Sequence, residues 1–246
     1  MLEETQKRLS IINLLKKRKK SFYYIALILI ILLGFYIRTR NIPLLNDNPL
    51  ALDPYYFLRI ARHITEHGSV MAWDNLRYSP VGQDPSYEVM ILPYVISYTY
   101  KILRVFMPGI TIERADILYP AIFFALSLPF FYLLAKLFFN RNIALLSCLF
   151  LAVLPSYLYR TMSGFSDKEA LAMFLMFATF YFYMKAIKAK KLPLKLFFAL
   201  LSGASNGLMG LSWGGVKFVL MIIALFSLIR FAFNSFRKED LYVYTV

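Results

Sequence analysis

Apolar residues gather into long unbroken runs, and run length is the first structural signal in this chain. Runs at 22–37, 115–138, 142–160, 169–188, 193–211 and 215–233 each approach the ~20 residues a bilayer core requires. A seventh run, 89–107, is interrupted by Pro93, Lys101 and Arg104 and followed by Pro108. Between the first two runs the pattern changes to helical amphipathy. The stretch "DPYYFLRIARHITEHG" reads as a helix with Asp53 as N-cap and Pro54 at the first helical position. Phe57, Ile60, Ala61 and Ile64 share one face, and Gly68 is the stop. The following "WDNLRYSPVGQDPSYE" is polar, aromatic and proline-rich, and reads as irregular structure at an interface.

These elements predict an all-α membrane protein with about six transmembrane helices and a long first external loop. The expected organisation is a basic cytoplasmic N-terminus over 1–21, a first span at 22–37, the external loop at 38–114, five further spans within 115–233, and a cytoplasmic tail from 234 to 246. Gly203, Gly207 and Gly210 recur at small-residue spacing, which predicts close helix packing.

Composition agrees with the pattern: the chain is 59% hydrophobic and its mean hydropathy is +0.57, which excludes an ordinary soluble domain. A net charge of +14 would suit nucleic acid, but its distribution argues for a membrane instead. Lys7, Arg8, Lys16, Lys17, Arg18, Lys19 and Lys20 all precede the first apolar run, as basic residues retained in the cytoplasm do. No nucleic-acid partner is expected. That start resembles a secretory signal, yet no small-residue cleavage site follows, because the run ends in Tyr36, Ile37, Arg38, Thr39 and Arg40. It reads as a retained span. The lone Cys148 lies inside an apolar run and offers no disulfide.

Charge also decides the seventh run. If 89–107 does not cross, the N-terminal cluster, Lys136, Arg141, the five lysines from Lys185 to Lys195, Arg230, Arg237 and Lys238 all fall on the cytoplasmic side. Outside the long loop, the outer face then keeps only Arg160, Lys168 and Lys217. We therefore read 89–107 as lying on or dipping into the outer face of the cell membrane. The long loop and the short turn at Asp167 then share that face.

That shared face carries the candidate chemistry. In "RTMSGFSDKEALAMFL", Ser166 and Glu169 form an S-x-x-E capping box, and Asp167 and Glu169 suit the positive end of a helix dipole. The same carboxylates are hard oxygen donors suited to Mn2+ or Mg2+, and Asp53 at another helix start would supply a third. Two residues apart on a formed helix, Asp167 and Glu169 diverge, so both serve one site only at an unwound first turn. Cap and ligand are compatible roles. "HITEH", His63 to His67, matches the H-x-x-E-H pattern of inverted zinc peptidases. Against that reading, His67 abuts the helix stop and no third ligand follows nearby.

Together, "LDPYYFLRIARHITEHG", "WDNLRYSPVG", "YRTMSGFSDKEALAMFL" and "GLSWGGVKFV" resemble, in order and spacing, the catalytic subunit of oligosaccharyltransferase, particularly its archaeal single-subunit form. The resemblance covers roughly residues 22 to 233 and implies a C-type glycosyltransferase fold. It also implies metal-dependent, inverting transfer of an oligosaccharide from a dolichyl phosphate or pyrophosphate carrier to Asn in Asn-X-Ser/Thr of an acceptor protein. By position, Asp53 matches the family's first-loop aspartate, which binds metal and contacts the acceptor amide. Asp167 and Glu169 match its D-x-D/E/H metal motif, whose third position varies. Arg160 is similar to a basic residue preceding that motif.

The family's second half adds a further external loop with an activating Glu, more spans, and a soluble domain whose Trp-Trp-Asp motif reads the acceptor. Here only Trp73 and Trp213 occur. The chain is thus expected to be incomplete for activity, with a separate C-terminal half as a partner beside membrane lipids. Rival readings are a protein O-mannosyltransferase, which the "SGFSDKE" context disfavours, and a non-catalytic membrane scaffold in which Asp53 and Asp167 only cap helices. A transporter fits less well, because the charged positions cluster at span ends.

Overall fold

In the computed structural model of the chain, backbone is described at residues 2–85 and 91–245, and side chains at 21–85 and 91–245. The side chains of the basic N-terminal segment, and residues 89 and 90 of the interrupted run, lie outside the described residues. The elements are helices: α1 (Leu2–Thr39), α2 (Ile42–Leu45), α3 (Leu52–His67), α4 (Ile91–Phe106), α5 (Ile112–Phe138), α6 (Arg141–Val153), α7 (Pro155–Thr161), α8 (Lys168–Lys188), α9 (Leu192–Gly210), α10 (Val216–Ala232) and α11 (Lys238–Thr245). Among the described residues, extended pairing is limited to one antiparallel bridge, Asp74 to Gln83. The chain is an all-α membrane protein.

Among the described residues, four stretches are long and apolar enough to cross a bilayer: Ser21–Leu45, Ile112–Phe138, Lys168–Lys188 and Leu192–Gly210. The run at 142–160 is not one straight span, because α6 and α7 meet at a 62° bend. Pro155 causes the break, since its ring excludes a continuing helix and removes a backbone donor. Counted as one broken span, the pair makes a fifth. The run at 215–233 yields a helix of 17 residues, at the lower edge of spanning length, because Gly214 and Gly215 precede its first turn. Four or five spans therefore meet the criterion where six runs were expected. The interrupted run forms α4, 16 residues long, with Leu92, Pro93 and Ile96 buried, and it does not meet that criterion.

Arg38 closes the bend. Breaking a helix in an apolar setting strands carbonyl groups that need donors. Arg38 Nη1 donates to Ala152 O at 2.8 Å, and Arg38 Nε donates to Thr161 Oγ1 at 2.7 Å, so one guanidinium spans both sides of the break. Its carbon sits 3.4 Å from the centre of the Phe124 ring. This proximity requires Gly34, since a Cβ there would meet Phe124 at 2.5 Å.

Among the described residues, the two larger of three buried clusters organise the bundle. Leu27, Phe124, Leu128, Cys148, Tyr157 and Phe177 join α1, α5, α6, α7 and α8. Phe57, Leu92, Tyr119, Leu171, Met209 and Val219 join α3, α4, α5, α8, α9 and α10. Large apolar side chains point outward along α10, as at Phe218, Leu225, Leu228 and Phe231, which suits a lipid surround. Two of the three spaced glycines in α9 do not mark a close crossing: a Cβ on Gly207 meets open space, and one on Gly210 meets only Val216 at ordinary contact.

The helices leave two chemically different ends. At one, Tyr23 donates to Asn142 at 2.8 Å, and Lys188 at the end of α8 reaches Leu137 O at the end of α5. There Asp240 of α11 is buried and accepts from Lys195 Nζ at 2.7 Å, Arg230 Nη2 at 2.9 Å and the Arg237 N–H at 3.1 Å. The other end gathers the close of α1, the starts of α5 and α8, and the loop carrying α3. Within that loop, Arg59 Nη1 and Nη2 donate to the two oxygens of the Asp74 carboxylate. That fork holds the Asp74 carboxyl below the usual carboxylate range, against its burial.

Candidate functional site

The segment between α7 and α8 is fixed through its backbone before any carboxylate is considered. Ser163 N–H donates to Arg38 O at 2.9 Å, and Ser163 O accepts from Asn41 Nδ2 at 2.7 Å. Gly164 N–H donates to Ile117 O at 3.0 Å, and Gly164 O accepts from Leu50 N–H at 2.9 Å. Gly164 holds φ at +87°, and a Cβ there would meet Leu45 at 2.8 Å, so only glycine fits. The segment thus touches α1, α5 and the loop that leads into α3.

Asp167 follows as the N-cap of α8, with its Oδ1 accepting from Lys168 N–H at 2.7 Å. The expected capping box is therefore corrected: Ser166 does not cap. Its hydroxyl turns away and donates to Asp116 Oδ2 on α5 at 2.6 Å, with both residues buried. Glu169 is the second helical residue. Arg160 Nη1 donates to Glu169 Oε1 at 3.0 Å, while Glu169 Oε2 is buried without a hydrogen-bond partner. A buried carboxylate oxygen without a donor is costly unless something positive completes it.

Asp53 also departs from its expected role. The N-cap of α3 is Ala51, Leu52 is the first helical residue, and Asp53 stands second, with Pro54 third. Proline is still tolerated, because the opening N–H groups of a helix have no internal acceptor. Asp53 remains in the first turn, where the dipole favours an anion. Its exposed carboxylate has no hydrogen bond or ion pair among the described residues. One helical turn on, the Phe57 ring lies 5.0 Å from the Lys168 ammonium, and Phe57 shares a buried cluster with Ala170 and Leu171. The starts of α3 and α8 therefore adjoin one core. The structure brings Asp167 and Glu169 together; it does not add Asp53 to them as a formed triad. Among the described residues no three His, Cys, Asp or Glu side chains stand close enough to hold a metal ion.

The histidine pair behaves as a helix surface. His63 and His67 stack with centroids 4.3 Å apart, and His63 Nδ1 contacts Ser69 O at 2.9 Å beside the left-handed stop at Gly68. Beside α3, a cavity of about 650 Å³ is lined by Tyr55, Tyr56, Arg59, Arg62, Arg77 and Tyr78, among others. Arg59 and Arg62 in it are already paired, with Asp74 and Glu113.

The residues missed in the sequence are Asp116 and Tyr119, both on α5. Tyr119 is fully buried; its hydroxyl donates to Asp167 O at 3.3 Å and accepts from Leu171 N–H at 3.1 Å. A signal existed, since an acidic residue inside an apolar run marks a functional position by default.

Comparison with known proteins places this arrangement. The family described as "Oligosaccharyl transferase STT3, N-terminal" matches residues 35–246. The chain is 28% identical over 197 residues to the dolichyl-diphosphooligosaccharide–protein glycosyltransferase subunit STT3A of Oryza sativa subsp. japonica, covering 78% of this chain and 24% of that protein. It is 27% identical over 184 residues to subunit STT3B of Arabidopsis thaliana, covering 72% and 24%. It thus spans about a quarter of the length of these relatives. Among solved structures, the Archaeoglobus fulgidus oligosaccharyltransferase in complex with Zn and sulfate superposes with a TM-score of 0.71 at 23% identity, over 89% of this chain and 29% of the other. The same organism's AglB, in complex with an inhibitory peptide and a dolichol-phosphate, superposes at 0.69 and 21% identity, over 92% and 28%. These superpositions establish a shared fold, and the match over 35–246 shows that the chain belongs to the oligosaccharyl transferase STT3 family, in its N-terminal region.

Proposed function

We propose that this chain is the N-terminal membrane part of an oligosaccharyltransferase that moves an oligosaccharide from a dolichyl phosphate or pyrophosphate carrier to Asn in Asn-X-Ser/Thr of an acceptor protein. The observation that carries this reading is the family match over 35–246 together with the carboxylates of Asp167 and Glu169 at the start of α8. The family's transfer takes place outside the cytoplasm, and the charge distribution supports an outward-facing site end with a cytoplasmic N-terminus. A C-terminal half completes the enzyme on this reading.

The donor set suits a hard divalent cation, Mn2+ or Mg2+. The buried, unpartnered Glu169 Oε2 is an oxygen that such an ion would satisfy, and Asp167 and Glu169 would hold it, with Asp53 approaching from α3. When bound, the cation supplies positive charge that neutralises the departing lipid phosphate and orients the carboxylates. The protein's own part lies in the acceptor amide. An amide nitrogen is a weak nucleophile because its lone pair is delocalised into the carbonyl. Asp53, exposed and otherwise unengaged, accepts from the amide N–H and weakens that conjugation. In-line attack of the amide nitrogen forms the bond to the anomeric carbon as its bond to the lipid phosphate oxygen breaks, which inverts that carbon, and the amide proton passes to Asp53.

Mn2+ titration of the purified chain and of Asp53→Ala and Asp167→Ala tests the site. Loss of affinity in both variants is expected; unchanged affinity in both would return these residues to helix-start roles alone. Activity is tested by joining the chain to a C-terminal half from a relative and supplying lipid-linked donor, Mn2+ and an Asn-X-Thr peptide. The expected product carries the glycan on Asn, and no product from a Gln-X-Thr peptide.

A further inference from the structure

Successive α-helical residues are rotated by about 100°, so side chains two apart point in nearly opposite directions around the axis. Asp167, with extended backbone at the N-cap, escapes that register, so whether it and Glu169 face one cation depends on how the first turn of α8 is held. Helices α5, α6 and α9 close that turn directly. The fourth helical N–H bonds the N-cap carbonyl in α5 (Ala115 to Thr111, 3.1 Å), α6 (Ala144 to Asn140, 3.0 Å) and α9 (Lys195 to Lys191, 3.0 Å). In α8 the equivalent N–H, Leu171, is directed at the Tyr119 hydroxyl at 3.1 Å, and that hydroxyl donates onward to Asp167 O at 3.3 Å. A side chain from α5 is interposed in the opening hydrogen bond of the helix that carries the motif. Inserting a group into the i→i−4 ladder opens a helix locally.

Three residues before Tyr119 on the same helix, Asp116 holds the hydroxyl of Ser166, the residue preceding Asp167, at 2.6 Å. α5 therefore grips the motif at Ser166 and again across its first turn. The Tyr119 ring is locked in the core, 5.0 Å from Phe123, so the hydroxyl cannot follow the helix if it tightens.

We infer that Tyr119 is a positioning residue of the metal site: its hydroxyl holds the first turn of α8 open so that Asp167 and Glu169 face one cation, while Asp116 anchors Ser166. The inference rests on the metal reading proposed above. Removing the hydroxyl but keeping the ring lets Leu171 N–H close on Asp167 O, and the carboxylates then diverge.

The test is Mn2+ binding followed by electron paramagnetic resonance on the purified 246-residue chain in detergent, for wild type, Tyr119→Phe and Asp167→Ala, with thermal unfolding measured alongside. Tyr119→Phe is expected to weaken Mn2+ binding about 10-fold, in line with other groups that orient metal ligands, with an unchanged unfolding midpoint. A purely structural tyrosine would show the reverse. Wild-type affinity in Tyr119→Phe with affinity lost in Asp167→Ala overturns this inference and leaves the metal site standing. Wild-type affinity in Asp167→Ala overturns both. If Tyr119→Phe unfolds, Ser166→Ala and Ser166→Thr decide: affinity reduced by Ala and kept by Thr supports the grip of α5, and equal affinity in the two overturns it.

Discussion

The two ends of the bundle each place carboxylates against basic groups, and they resolve them in opposite ways. Asp240 is saturated: Lys195, Arg230 and the Arg237 N–H occupy both oxygens. At the start of α8, Glu169 has one oxygen on Arg160 and one buried without a donor, and Asp116 likewise keeps Oδ1 buried and unpartnered. A saturated cluster fixes the chain and has no capacity left for a ligand. An unsaturated one is tolerated only where the surroundings over-determine the geometry, as the backbone bonds of Ser163 and Gly164 do here. The same residue types therefore close the structure at one end and keep it receptive at the other.

The largest effect is expected from breaking the saturated end. Asp240→Ala strands the buried Lys195 ammonium and should cost about 3–5 kcal/mol, read as a lowered unfolding midpoint in detergent. The receptive end should respond in the opposite sense. Asp167→Ala should lose only the ~1 kcal/mol of an N-cap, while Mn2+ affinity falls steeply. If Asp167→Ala instead destabilises as much as Asp240→Ala with no change in Mn2+ affinity, the contrast between the ends fails.

Acid should loosen the saturated end. Burial would raise the Asp240 pKa, but the hydrogen bond from Lys195, the Arg237 N–H and the Arg230 charge together leave it lowered. With the folded value below the unfolded one, the contribution of the clamp is complete above about pH 4 and is lost as pH falls through the folded value. Unfolding midpoints measured against pH should show this loss in wild type, and Asp240→Asn should lack it. The smallest effect on stability is expected for Glu169→Gln, because its ion pair with Arg160 is partly exposed: stability should shift by less than about 0.5 kcal/mol, while Mn2+ affinity falls by about 10-fold or more.

Features set by near neighbours were legible in the sequence. The apolar runs, the Gly68 stop and the helix start at Asp167 each depend on residues within a turn or two, and the structure shows them. Two starting residues shifted for equally local reasons, with Leu52 beginning α3 ahead of Asp53, and Asp167 capping where Ser166 was expected. The bend at Pro155 was visible as a proline but not as a break, because run length alone cannot show whether neighbouring groups will satisfy the freed carbonyls. Arg38 does so from 114 residues away. Tyr119 and Asp116 were hidden for the same reason. Their partners lie 48 to 52 residues along the chain, and nothing in the local pattern of α5 announces which helix start they will meet.

The Arg38 bridge also dictates an order of assembly. The first helix presents its guanidinium long before Ala152 and Thr161 exist to accept from it, and a cation without acceptors is poorly held in an apolar environment. Until α6 and α7 arrive and bend, the end of the first helix has reason to stay near water. The Ser163 N–H, which bonds the Arg38 carbonyl, therefore finds its place only after that docking. The turn bearing Asp167 is thus shaped only after α6 and α7 have docked on the first helix, and the proposed cation site would form no earlier, even with every acidic residue already synthesised.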